Sequence, residues 1–282
     1  MRSALSGIAT ATGLALAVLT STARAQDMSS MPGMQTGKPD QPAAAKPAPA
    51  PPSNPPSGVG EDMPGMNMGG MAMMAGQLGG YSMMRDASGT AWQPDSSPME
   101  GITWKSGGWT GMAHGYVDFV YDQQNGPRGA AKDFSESMLM VMAQHAAGPG
   151  TLTLRSMLSL DPAMGADGYP LLLQTGETAN GVTPLVDRQH PHNLFMELAG
   201  AYSLPIGERS SVFLYAGYPG EPALGPVTFM HRFSGMDDPA APITHHWLDS
   251  THITDGVITT GLVHEAWKIE GSVFTGREPD GG

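Results

Sequence analysis

Apolar and polar residues alternate along much of the chain after residue 110, which is the pattern of β-strands with one apolar face. Residues 151–161 show it most clearly, because Leu152, Leu154 and Leu158 fall on one face and Thr153 and Arg155 on the other. The pattern predicts seven strands of about nine to twelve residues, the length of strands that cross an outer membrane. They are residues 111–121, 134–145, 151–161, 194–203, 210–218, 252–263 and 267–275.

The predicted connections differ in length. Those near residues 146–150, 204–209 and 264–266 are short, whereas residues 162–193 and 219–251 form two loops of about thirty residues each. Antiparallel up-and-down threading places short turns at one end and long loops at the other, as in outer-membrane β-barrels. The predicted fold is therefore all-β: an antiparallel up-and-down outer-membrane barrel, incomplete at about seven strands. A soluble β-sandwich is the alternative, although its strands are usually shorter.

Composition and charge narrow the function classes. The absence of cysteine excludes disulfide scaffolds and thiolate metal sites, and a net charge of -12 argues against nucleic-acid binding. Arg2, the apolar residues 7–20 and the sequence Ala23-Arg24-Ala25 predict a signal peptide over residues 1–25. We expect a disordered tail over 26–80, a connecting segment over 81–110 and a partial barrel domain over 111–282. The short stretch after the last strand favours a C-terminally truncated chain.

The predicted tail is rich in methionine, proline and glycine and poor in other apolar residues. Thioether sulfur is a soft, neutral ligand that suits Cu(I), so these methionines are candidate copper ligands. The alternative is a low-complexity tail in which methionine has no role. The candidates are Met28, Met31, Met34, Met63, Met66, Met68, Met71, Met73 and Met74.

Two pairs of histidines lie in the long loops, each near an aspartate. His190 and His192 follow Asp187, and His245 and His246 precede Asp249 and His252. Imidazole and carboxylate suit Cu(II) or Zn(II), and both loops are predicted to meet at the same rim. The four histidines are therefore candidate ligands of a shared ion, with Asp187 and Asp249 completing or orienting the site. Alternatively, they bond loop backbone.

Methionines also recur on the polar faces of three successive predicted strands. Met138, Met140 and Met142 share one face of residues 134–145, with Met112 and Met157 on the neighbouring strands. They either fill space, as methionine readily does, or line an ion path.

Three segments look like a family of proteobacterial outer-membrane proteins associated with heavy-metal resistance. They are residues 81–90, 187–192 and 234–252, and the resemblance spans roughly residues 80–279. The layout is also similar to the copper-resistance protein B family, with a signal, a Met-rich periplasmic segment and an outer-membrane barrel. This tail departs from that family by lacking histidine. Members of the first family continue beyond Pro279, which agrees with truncation.

The expected function is non-enzymatic copper handling, in which the protein binds copper ions and sequesters or exports them. The expected location is the outer membrane, with lipid around the barrel and the tail in the periplasm, where periplasmic copper proteins are candidate partners. A porin without a metal role and a barrel hydrolase remain alternatives. Enzyme motifs are scarce: the chain has no G-x-S-x-G elbow, and the sequence from His264 to Lys268 lacks the second histidine of H-E-x-x-H.

Overall fold

A computed structural model describes residues 74–249 and 251–276, which are built mainly from antiparallel strands. One short helix, α1, spans His245–Leu248. The strands are β1 (Ala75–Gly76), β2 (Gly79–Ser82), β3 (Ile102–Ser106), β4 (Trp109–Gln123), β5 (Ala131–Ala147), β6 (Gly150–Leu158), β7 (Tyr169–Thr178), β8 (Pro184–Gln189), β9 (Phe195–Pro205), β10 (Ser210–Gly217), β11 (Val257–His264) and β12 (Trp267–Val273).

Eight strands form one sheet in the order β3-β4-β5-β6-β9-β10-β11-β12. Every neighbouring pair is antiparallel, so the predicted all-β, antiparallel architecture is confirmed. All seven predicted strands belong to this sheet, and β3 is an eighth that the prediction missed. Within residues 74–249 and 251–276, β3 and β12 do not pair with each other, so the described sheet has two edges.

The connections sort by length as predicted. Residues 107–108, 148–149, 206–209 and 265–266 make tight turns at one end of the sheet, whereas residues 124–130, 159–194 and 218–256 connect strands at the other end. Gly107 and Gly108 both have positive φ, which a two-residue hairpin turn of type I′ requires. Strands β7 and β8 form a separate hairpin inside the 159–194 connection. No helix in the described part of the chain is long and apolar enough to cross a membrane.

The sheet has an apolar exposed face and a buried face with many polar residues. On β6 the expected alternation holds, because Leu154 is 47% exposed whereas Arg155 is 4% exposed. The same relation recurs on the other strands of the sheet, where large apolar side chains point outward. They include Val117, Phe119, Tyr121, Leu139, Leu198, Val212, Leu214, Ile258, Ile269 and Val273.

Residues 74–92 pack on the buried face of the sheet. Leu78 is fully buried among Phe213, Tyr215 and Val263, and its carbonyl accepts a hydrogen bond of 2.6 Å from Ser211. Residues 74–80, which were expected to belong to a disordered tail, thus contribute β1, the start of β2 and this apolar anchor.

A buried ion pair on the sheet also holds residues 74–92 in place. The Arg155 guanidinium lies 2.7 Å from the Glu197 carboxylate, and both side chains are almost fully buried. Arg155 also donates hydrogen bonds to the carbonyls of Ala87 and Gly89. The charges are therefore compensated within the fold, which a buried ion pair requires.

Candidate metal centre

Five histidines gather at the end of the sheet that carries the long connections. His190 and His192 follow β8, His245 and His246 lie in α1, and His252 follows α1. The rings of His190 and His246 are 6.1 Å apart between centroids, and those of His192 and His245 are 6.4 Å apart. The two predicted histidine pairs thus meet, as the threading of the strands indicated.

Three of these histidines direct a ring nitrogen toward one point. His192, His245 and His252 are all buried, and each offers a nitrogen within 4.8 Å of the other two. The Nε2 atoms of His192 and His252 are 3.4 Å apart. Tetrahedral metal sites with metal–nitrogen bonds of about 2.0–2.1 Å place their nitrogens roughly 3.3 Å apart. One edge of the group therefore already has the required length.

The other ring nitrogen of each histidine is held by an oxygen atom. His245 Nδ1 lies 2.9 Å from Asp249 Oδ2, and His192 Nδ1 lies 3.0 Å from Asp161 Oδ2. His252 Nδ1 lies 2.6 Å from the backbone carbonyl of Asp249, which can only accept a hydrogen bond. If each Nδ1 donates, each neutral ring presents an Nε2 lone pair toward the common point. Such an oxygen partner on the distal nitrogen is typical of metal-binding histidines.

Local structure explains how the sequence places these groups. His245 and Asp249 are four residues apart on and just after α1, so their side chains lie on the same face of the helical turn. Asp161 begins the 3-10 turn Asp161–Met164, which is separated from β6 by two residues and has Pro162 in its first turn. In the extended sequence His190-Pro191-His192, residues two apart point to the same side, and both histidines are buried.

Burial dominates the electrostatics of the group. It lowers the pKa of His245 well below its ordinary value, and the neighbouring His192 and His246 lower it further. Burial also raises the pKa of Asp249. Burial opposes ionisation of Asp161 as well, but the hydrogen bond and charge of His192 outweigh it and lower the pKa of this carboxyl. The result is a neutral His245 beside Asp249, and an ionised Asp161 beside His192.

His190 and His246 form an adjacent group around Glu177 on β7. The Glu177 carboxylate lies 2.8 Å from His190 Nδ1 and is hydrogen-bonded to His246 Nδ1, while His246 Nε2 bonds the side-chain oxygen of Gln189. Burial would raise the pKa of Glu177, but these two histidines lower it. The expected four-histidine ion site is thus divided: His192 and His245 join His252, whereas His190 and His246 bind a carboxylate.

The remaining predicted site residues are placed differently. Asp187 pairs with Arg128 at 2.6 Å and makes no described contact with the histidines, so the expectation that it orients them is wrong. Met74 is buried with Met83, Met112 and Met142. The other tail candidates lie outside the described residues: Met28, Met31, Met34, Met63, Met66, Met68, Met71 and Met73.

Two residues of the centre were missed by sequence reasoning. His252 was assigned to the start of a strand, but β11 begins only at Val257 and His252 lies in a turn. Asp161 was assigned to the end of the third predicted strand. The spacing His245-x3-Asp249-x2-His252 was the available signal for the first. No local sequence pattern indicated Asp161, because its partner His192 lies 31 residues further along the chain.

Compared with known proteins, the chain matches no family model, no curated protein and no solved structure.

Proposed function

We propose that this protein binds a divalent transition-metal ion through His192, His245 and His252, and that it serves copper handling at the outer membrane. The observation that carries the proposal is the convergence of three buried ring nitrogens whose distal nitrogens are each held by oxygen. Three neutral imidazoles suit Cu(II) and Zn(II), and the Irving–Williams order makes Cu(II) the tighter of the two. A fourth position stays open for water or another ligand.

The distribution of apolar residues supports an outer-membrane location. The outward side chains of the eight-stranded sheet are large and apolar, and Phe119 is 89% exposed. Soluble monomers rarely expose continuous apolar surface of this kind, whereas strands in an outer-membrane barrel face lipid with it. In this proposal lipid covers that face and the sheet is part of a barrel.

The position of the first described residues supports a periplasmic tail. Arg85 donates a hydrogen bond of 2.7 Å to the carbonyl of Glu265, which lies in the tight turn between β11 and β12. Residues just after the Met-rich tail thus lie at the short-turn end, which faces the periplasm in outer-membrane barrels. The tail methionines would collect Cu(I) there, from the solvent or from periplasmic copper proteins.

The buried face of the sheet favours binding over general diffusion. Residues 74–92 and the Arg155–Glu197 pair occupy the surface that would line a pore. A general porin needs that surface to face water.

Metal tolerance of a deletion strain tests the function. We expect loss of the gene to make growth sensitive to copper, and the wild-type gene to restore tolerance. A His192→Ala and His252→Ala double variant should fail to restore it, whereas the matched control His264→Ala, in β11 beside Ser210, should succeed. Unchanged copper tolerance with altered uptake of small solutes would support a porin instead.

A further inference from the structure

A cavity of about 170 Å³ lies between the buried face of the sheet, residues 83–100 and the loop after residue 229. Its lining is rich in thioether side chains, which come from all three regions. The methionines are Met83, Met99, Met112, Met138, Met140, Met142, Met230 and Met236. Two imidazoles, those of His114 and His231, also line it. None of these residues belongs to the candidate metal centre of His192, His245 and His252.

The register of β4 and β5 builds one wall of this cavity. Met112 is paired with Met142, His114 with Met140, and Tyr116 with Met138. Because side chains two residues apart share a face, these three pairs form a continuous ladder on the buried side of the sheet. The sequence M-x-M-x-M in β5 therefore presents sulfur to the same space at every second position.

Nitrogen and sulfur donors already meet in this ladder. His114 Nε2 lies 3.2 Å from Met140 Sδ. Metal–nitrogen bonds of about 2.0 Å and metal–sulfur bonds of about 2.3 Å set donor atoms roughly 3.5 Å apart around a tetrahedral ion. An ion could thus be held between these two atoms after a small side-chain adjustment.

His231 supplies a second nitrogen. It ends a 3-10 turn (Phe229–His231), and its Nε2 atom is buried without a hydrogen-bond partner among the described residues. A buried polar atom without a partner is unfavourable, and a ligand at that atom would relieve the cost.

We propose that this cavity is a second metal site, which takes a soft monovalent ion, Cu(I) or Ag(I), through His114, Met140, His231 and neighbouring thioethers. Thioether and imidazole are neutral, so they favour a singly charged soft ion over a hard divalent one. Methionine packing alone would account for the sulfurs, but not for two imidazole nitrogens at a methionine-lined cavity. The site is separate from the three-histidine centre and does not rest on the proposed function.

The charges around the cavity are compatible with a cation. Among the described residues that line the cavity, Arg155 is the only lysine or arginine. The Glu197 carboxylate, 2.7 Å away, compensates the charge of Arg155. Asp86, Glu100 and Asp237 also line the cavity, so carboxyl groups outnumber cationic groups there.

Silver binding tests the site. The background is the full chain with the eight tail methionines at positions 28, 31, 34, 63, 66, 68, 71 and 73 changed to leucine. Equilibrium dialysis against Ag(I) is done with excess Zn(II), which competes for the imidazole centre. We expect one tightly bound Ag(I) per chain, with affinity at least tenfold lower in Met140→Leu. The matched control is Met157→Leu, which is buried beside Met140 on β6 but does not line the cavity.

X-ray absorption at the silver edge of the background protein provides a second measurement that does not depend on the folding of Met140→Leu. We expect sulfur scatterers together with nitrogen around the bound ion. Equal affinity in Met140→Leu and the background, or a bound ion with nitrogen and oxygen neighbours only, would overturn the proposal. Zn(II) affinity should be the same in Met140→Leu and the background, which keeps this test separate from that of the three-histidine centre.

Discussion

The Nε2 atoms of His192 and His252 face each other at 3.4 Å inside the protein. If both Nδ1 atoms donate to their oxygen partners, the two Nε2 lone pairs face each other. A cation between the two nitrogens would relieve their repulsion. Metal binding should therefore stabilise the fold.

The first prediction follows from that stabilisation. At a Zn(II) or Cu(II) concentration of 100 times Kd, linkage gives about 2.7 kcal/mol of added stability, which raises the thermal midpoint. Thermal unfolding with and without the metal measures the shift. Mg(II), which prefers oxygen ligands, is the control and should leave the midpoint unchanged. An equal shift with Mg(II) would point to a nonspecific ion effect.

Asp161 should matter for metal affinity although it does not contact the metal in this arrangement. It holds His192 Nδ1 at 3.0 Å, and loss of such a partner typically weakens metal binding about 10–100-fold. We expect Asp161→Asn to weaken Zn(II) binding in titration calorimetry within that range. Asp187→Asn is the matched control, since Asp187 pairs with Arg128, and it should bind Zn(II) like the wild type. Equal affinity in both variants would remove Asp161 from the site.

His245 should stay available to a metal ion in mild acid. A ligand histidine must be neutral, and burial lowers the pKa of His245 well below its ordinary value. Protons therefore bind this ring only at a pH well below 6.5, the ordinary value for histidine. In an NMR titration of the metal-free protein, we expect the His245 ring to stay unprotonated between pH 7.5 and about 6. Protonation of His245 centred at pH 6.5 would contradict a buried, neutral ring.

The Arg155–Glu197 pair should be important for stability. Arg155→Met leaves the Glu197 carboxylate buried without its partner, and such changes destabilise proteins by about 3–5 kcal/mol. Chemical unfolding measures the loss. The control is Arg209→Met, which breaks the exposed Arg209–Glu265 pair and should change stability by at most about 1 kcal/mol. A similar, small loss of stability in both variants would show that the packing of residues 74–92 on the sheet does not depend on Arg155.

Strand alternation made most of the sheet predictable from sequence. Segments such as β5 and β6 alternate over many residues, and one-residue shifts would exchange their faces, so the register is strongly specified. Strand β3 was missed because it is short and mostly exposed. Met74 and Leu78 were assigned to a disordered tail because the sequence around them is rich in glycine. The burial of Leu78 was not predictable locally, since its partners on β10 and β11 are more than a hundred residues away.

The metal centre was predictable only in part. Strand direction brought the two long loops to one end, so the meeting of His192 and His245 followed from topology. The choice among the histidines did not, because it depends on which ring nitrogen finds an oxygen partner. The Glu177 carboxylate contacts His190 and His246. The carboxylates of Asp161 and Asp249 contact the Nδ1 atoms of His192 and His245 and so orient these two rings. These contacts cross many positions of sequence and follow no local spacing.

A Co(II) titration of the full chain tests the metal centre most directly, because Co(II) replaces Zn(II) and its visible spectrum reports coordination geometry. We expect one Co(II) per chain, with the intense absorption of a four-coordinate site, and loss of that absorption in His245→Ala and in His252→Ala. His264→Ala, which changes a histidine on β11 outside the cluster, should keep it. Absence of this absorption in the wild type, or its persistence in both His245→Ala and His252→Ala, would contradict the three-histidine metal centre.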